Sequence, residues 1–124
     1  MTLQELYREI GEDYDQALRV LRVEKLVDKH IRKLTKNGLV EALLAAGETM
    51  DAGQLFETAH AAKGNCGNLG LTKLSAAASE IAEEYRPGNP RQMSDDEVRG
   101  KLEEIGQLYR KTAEEIRRYE AENP

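Results

Sequence analysis

Apolar residues recur at three- and four-residue steps along nearly the whole chain, which is the period of helices that bury one face. No stretch alternates as a half-buried strand would, and no internal repeat appears. Leu3, Leu6, Tyr7 and Ile10 predict a short first helix ending near Gly11. Asp13 can cap a second, with Tyr14, Ala17, Leu18 and Leu21 inward. Val23, Leu26, Val27, Ile31 and Leu34 predict a third, stopped by Asn37-Gly38, a pair suited to a left-handed cap. Leu39, Ala42, Leu43 and Ala46 mark a further short helix closed by Gly47.

The second half of the chain carries the longer elements. Asp51 with Gln54 resembles a capping box, and it opens a helix whose seam is Leu55, Ala59, Ala62, Cys66 and Leu69. Gly70 ends it, and Thr72 is the expected cap of the next, with Leu71, Leu74, Ala78, Ile81 and Tyr85 inward. Arg86-Pro87-Gly88-Asn89-Pro90 forbids helix and forms the one clear loop. Ser94-Asp95-Asp96-Glu97 is a full capping box before a last long helix, with Val98, Leu102, Ile105, Tyr109, Thr112, Ile116 and Tyr119 on one side. Short connections favour antiparallel neighbours. The fold class expected is all-α, an antiparallel up-down four-helix bundle preceded by short amino-terminal helices, forming one domain over residues 1–124.

Composition narrows the function classes. With 124 residues and 40% apolar content the chain can build a core without staples. No apolar run approaches the roughly 18 residues that span a bilayer, and no signal-peptide layout opens the sequence, so a cytoplasmic protein without membrane contact is expected. Cys66 is the single cysteine and fits the helix seam. The net charge is −5, and basic residues interleave with acidic ones along helical faces, so nucleic acid is not an expected partner. No exposed heptad seam is left over, which favours a monomer.

Chemistry concentrates in His60-Ala61-Ala62-Lys63-Gly64, continuing through Gly67 to Leu69-Gly70-Leu71. At 3.6 residues per turn, positions 60, 63, 64 and 67 share one stripe. Each interior glycine costs a helix about 1 kcal/mol relative to alanine, a cost that makes sense where bare backbone must admit a large partner. His60 follows the core position Ala59, so its imidazole should sit at the edge of the seam with one nitrogen facing water. Neutral imidazole offers a lone pair as nucleophile. Lys63, one turn on, brings an ammonium near anything bonded to that nitrogen and suits a phosphoryl group of charge near −2. Phe56, one turn before His60, either packs inward or belongs to an apolar docking patch. His30 has no such company and reads as structural.

This segment resembles the signature of histidine-containing phosphotransfer (HPt) domains: His60-x-x-Lys63-Gly64, then Gly67 and Leu69-Gly70-Leu71, with Ala59 and Thr72-Lys73-Leu74-Ser75 similar as well. The resemblance implies a carrier that accepts a phosphoryl group on His60 from a receiver-domain aspartate or a histidine kinase and passes it on. Lys63 would hold the phosphoryl oxygens, and Gly64 and Gly67 would serve receiver docking, to which Phe56 would add if its ring belongs to the apolar patch rather than the interior. Several members place a glutamine from the following helix on the histidine; by spacing that position here is Ala82, with Glu80 and Glu83 the nearest polar substitutes. The family domain has no catalytic machinery of its own, in keeping with a sequence that holds no nucleotide-binding loop. No cofactor is implied. A helical adaptor that binds a receiver without being phosphorylated is the alternative of a different class. Glu57-x-x-His60 also has the spacing of di-iron bundles, but Val27 stands three before His30, so the second half of such a site is missing and no metal is expected.

Overall fold

The computed structural model describes residues 1–124 and contains seven helices and no strand. They are α1 (Leu3–Ile10), α2 (Tyr14–Leu21), α3 (Glu24–Lys33), α4 (Leu39–Thr49), α5 (Ala52–Asn68), α6 (Thr72–Tyr85) and α7 (Asp95–Glu122). The spacing of apolar residues put every one of these helices in its place. α4 packs on α5, α5 on α6, α6 on α7, and α7 returns to α4, while α1, α2 and α3 close against α5 and the far half of α7. All seven contribute to one apolar core. The seams predicted for α5, α6 and α7 are buried at every position.

α7 is 28 residues long, about 42 Å, and it organises the rest. Its first half meets α6 through Lys101 and Glu80 (2.9 Å). Its second half reaches α4 through the Tyr109 hydroxyl on Glu41 and α3 through Tyr119 on Asp28. Arg32 stacks on the Tyr119 ring, 5.0 Å from its centroid, and pairs with Asp28 at 3.0 Å.

Some local expectations change. α4 runs through Gly47 to Thr49, and Met50, at φ 58°, supplies the left-handed cap. Gly47 is instead where α4 crosses α7: a Cβ there would stand 2.5 Å from Leu102 Cδ1. Ala42 faces solvent and Val40 takes its place inward. Asp51 caps α5 one way only, accepting from Gln54 N at 2.9 Å. Thr72 is the first residue of α6, after the cap residue Leu71; the Thr72 hydroxyl and the Lys73 amide turn to Glu12, which accepts from Thr72 Oγ1 (3.1 Å) and Lys73 N (3.5 Å). Val23 and Leu26 lie exposed on α3.

The junction of α1 and α2 clamps the turn that follows α5. Tyr7 donates its hydroxyl to Leu69 O at 2.6 Å, and Asp13 N donates to Gly70 O at 3.0 Å. Gly70 has φ 67°, and a Cβ on it would fall 2.0 Å from Asp13 O, so only glycine fits. The carboxy-terminal end of α5 is thereby fixed two turns beyond His60.

Candidate functional site

α5 presents its chemistry on the face opposite its seam. Leu55, Ala59, Ala62 and Cys66 are buried, and His60, Ala61 and Gly64 are exposed. The Cys66 thiol is pushed up to about 12, by burial first, and so stays protonated inside the core. No chain atom occupies the space above Gly64: a Cβ there would meet nothing within 4 Å. The helix accepts the entropic cost of that glycine without any packing return.

His60 stands open to solvent, and its ring is stacked against Phe56, with centroids 5.7 Å apart and planes inclined by 23°. The half-buried Phe56 is in turn covered by the Arg86 guanidinium, 5.3 Å from its centroid. Arg86 pairs with Glu83 at 2.7 Å. That hydrogen bond holds the Glu83 carboxyl below the usual carboxylate range, and the positive charge of Lys63 pulls it in the same direction to a smaller degree. Lys63 is half-buried, leaving the ammonium within the field of Glu83 but not in an ion pair with it.

α6 runs back along α5 at close range. Ser75 Oγ donates to Lys63 O at 3.0 Å and would be only 3.2 Å from a Cβ on Gly67. Gly67 is therefore a helix-crossing residue, half-buried beneath α6, and stands apart from the open surface at Gly64. The structure brings His60, Lys63, Gly64 and Phe56 onto one exposed stripe and turns Gly67 to its edge. Ser75 of α6 and Arg86 just after it frame this stripe; the sequence marked Ser75 only as part of the resembling segment and Arg86 only as loop, since nothing in local spacing marks contacts made to α5 through tertiary packing.

None of the three positions considered for a second contact to the imidazole supplies one. Ala82 is fully buried and apolar, Glu80 is engaged by Lys101 at 2.9 Å, and Glu83 is engaged by Arg86. The side chain stacked on the ring is Phe56. No three His, Cys, Asp or Glu side chains converge as they would around a metal ion, and Glu57-x-x-His60 has no counterpart. His30 is half-buried and, with Leu21, Asn65, Asn68 and Leu69, lines a cavity of about 240 Å³ between α2, α3 and the end of α5.

An exposed histidine midway along a buried-seam helix, followed by Lys at +3 and Gly at +4, is the arrangement the sequence resemblance called for. The family model described as Hpt domain matches residues 2–108. The chain belongs to the Hpt domain family. Neither a curated protein nor a solved structure shows a match to it. Membership places this Hpt domain in histidine phosphotransfer within phosphorelay signalling, among phosphoryl carriers that interact with receiver domains and histidine kinases. The match ends inside α7, and the remaining turns of that helix carry Tyr109 and Tyr119, the anchors of α4 and α3. No helix of this Hpt domain is long and apolar enough to cross a membrane.

Proposed function

We propose that this chain is a one-domain phosphoryl carrier, built as an antiparallel up-down bundle of α4 to α7, that accepts a phosphoryl group on His60 from a receiver aspartate or a histidine kinase and delivers it onward. The observation that carries this reading is the solvent-exposed imidazole beside an empty volume over Gly64.

Neutral imidazole attacks the phosphorus in line through its solvent-facing nitrogen. An N–P bond forms as the aspartyl P–O bond breaks, the carboxylate leaves with the electron pair, and the other ring nitrogen gives its proton to water. Transfer onward reverses these bonds on a second aspartate. Lys63 supplies a cation to the phosphoryl oxygens, Gly64 admits the partner's active site, and Phe56 holds the ring. Gly67 serves by letting α6 lie close to α5. Neutralising the metaphosphate-like charge falls to the partner, whose pocket must carry carboxylates and a divalent cation. This chain contributes a positioned nucleophile and a docking surface, with no catalysis of its own.

The test is a transfer screen. Receiver domains of the same organism, labelled on aspartate, are mixed with the chain, and the label is followed into a base-stable, acid-labile product. Binding of a receiver with no such product would assign the chain to the adaptor class instead.

A further inference from the structure

Charge is segregated along this chain. Seven of its 18 basic residues but only two of its 23 acidic ones fall between Arg19 and Lys36, so that stretch carries +5 while the remainder carries −10. The two acids there are engaged within the fold: Glu24 accepts from the Tyr14 hydroxyl at 2.8 Å, and Asp28 is held by Arg32 and Tyr119. Arg22, Lys25 and Lys29 are exposed and form no ion pair.

The three large apolar side chains most exposed on the whole molecule lie among these cations: Val20 (39%), Val23 (50%) and Leu26 (39%). Two local rules are broken to put them there. Val23 occupies the N-cap of α3, where it makes no capping bond and where Ser, Thr, Asp or Asn would stabilise the helix. Arg22 before it has φ 78°, a conformation costly for a side chain-bearing residue. Local choices that oppose stability at a surface concentrate where function needs them.

This corner adjoins the phosphoacceptor face. Leu26 and His30 lie one turn apart on α3, and His30 shares its cavity with Asn65 and Asn68 of α5. From Asn68 the exposed, low strip of Gly64 and Ala61 leads back to His60.

We infer that the α2–α3 corner is the part of the docking surface that captures the receiver domain, with Val20, Val23 and Leu26 as its apolar centre and Arg22, Lys25 and Lys29 as its cationic rim. The inference depends on the phosphocarrier role proposed above. A receiver poised to transfer carries an aspartyl phosphate among metal-binding carboxylates, so its active face is anionic. Such a body meets a net −10 over the remainder of the chain and a net +5 over the α2–α3 stretch. Steering of this kind orients the encounter so that the side bordering His60 arrives first.

The test uses the intact chain and the receiver that labels it fastest, phosphorylated with acetyl phosphate and Mg²⁺. R22E/K25E/K29E should raise the KM for the phosphoreceiver by about tenfold and flatten its salt dependence. Labelling of His60 by phosphoramidate, a small donor that needs no docking, should stay unchanged. V23S/L26S should raise the KM as well, while the V23S change, which places a good N-cap residue on α3, keeps the fold intact. An unchanged KM and salt slope in both variants would overturn the inference and leave the carrier role standing. No labelling of the parent chain by any receiver, with phosphoramidate labelling intact, would instead remove the role on which it rests. Binding of the parent to phosphatidylserine vesicles or duplex DNA at physiological salt, lost in R22E/K25E/K29E with receiver transfer unaffected, would assign the corner to those surfaces and overturn it too.

Discussion

The Phe56 ring lies 23° from parallel to the His60 imidazole at a centroid separation of 5.7 Å, while Glu80 and Glu83 of α6 are engaged by Lys101 and Arg86. Stacks of this geometry contribute about 0.5–1.5 kcal/mol beyond the area they bury. Phe56→Leu keeps apolar bulk but removes the flat face. Transfer from a phosphoreceiver should slow by about two- to tenfold with thermal stability nearly unchanged, read by quench-flow and a melting curve. An unaltered rate would show that the ring is oriented by other means.

Lys63 is half-buried and free of ion pairs, so its charge is available one turn from His60. At such a site a single charge interaction is worth about 1 kcal/mol. Lys63→Ala should therefore slow transfer or shorten the phosphohistidine lifetime by about fivefold while the helical signal persists. Equal rates and lifetimes in the two proteins would take Lys63 out of the mechanism.

Gly64 and Gly70 should respond in opposite senses. Alanine at position 64 enters empty space within a helix and should stabilise the fold by about 1 kcal/mol. A glutamine there should be equally well tolerated by the fold yet block transfer from the receiver. Alanine at Gly70 is forced into a left-handed conformation 2.0 Å from Asp13 O and should lower the melting temperature sharply. Denaturation curves and transfer assays on the same samples separate the two roles; receiver transfer at the parental rate by Gly64→Gln would contradict the docking geometry.

Acid sensitivity should trace largely to Glu84. Its carboxylate is buried in the last turn of α6 and accepts from Met93 N and Gln92 N at 2.9 Å and from Arg91 Nε at 2.7 Å. The Met93 amide first, then Arg91, holds its pKa below the ordinary value. A depressed folded pKa adds stability above the unfolded value, near 4.3, and that stability is lost as pH falls through the folded one. Glu84→Gln should cost about 1–3 kcal/mol at neutral pH and flatten the decline of stability below pH about 4. An unchanged acid limb in urea titrations would place the sensitive group elsewhere.

Residue spacing made the helices legible because burial on one face is a local, periodic property: Leu55 to Leu69 and Val98 to Tyr119 declare their seams without reference to any neighbour. The shared face of His60, Lys63 and Gly64 was legible for the same reason, being positions one turn apart on one helix. What spacing did not reveal is tertiary. Glu12 capping α6 in place of Thr72, Gly67 yielding to Ser75, and Arg86 covering Phe56 all join residues far apart in the chain. The exposure of Val23 and Leu26 escaped because apolar residues at helical period read as core, whatever lies opposite them. The cationic α2–α3 stretch was hidden in a different way, since a net charge of −5 averages it away.

The central claim is that the open nitrogen of His60 takes the phosphoryl group. Intact-mass measurement with ³¹P NMR after incubation with a phosphorylated receiver tests it directly. One added phosphoryl with a phosphoramidate resonance, present in the parent and missing in His60→Gln, is the result this account predicts. The same resonance persisting in His60→Gln, or its absence from a parent that demonstrably binds the receiver, would contradict it.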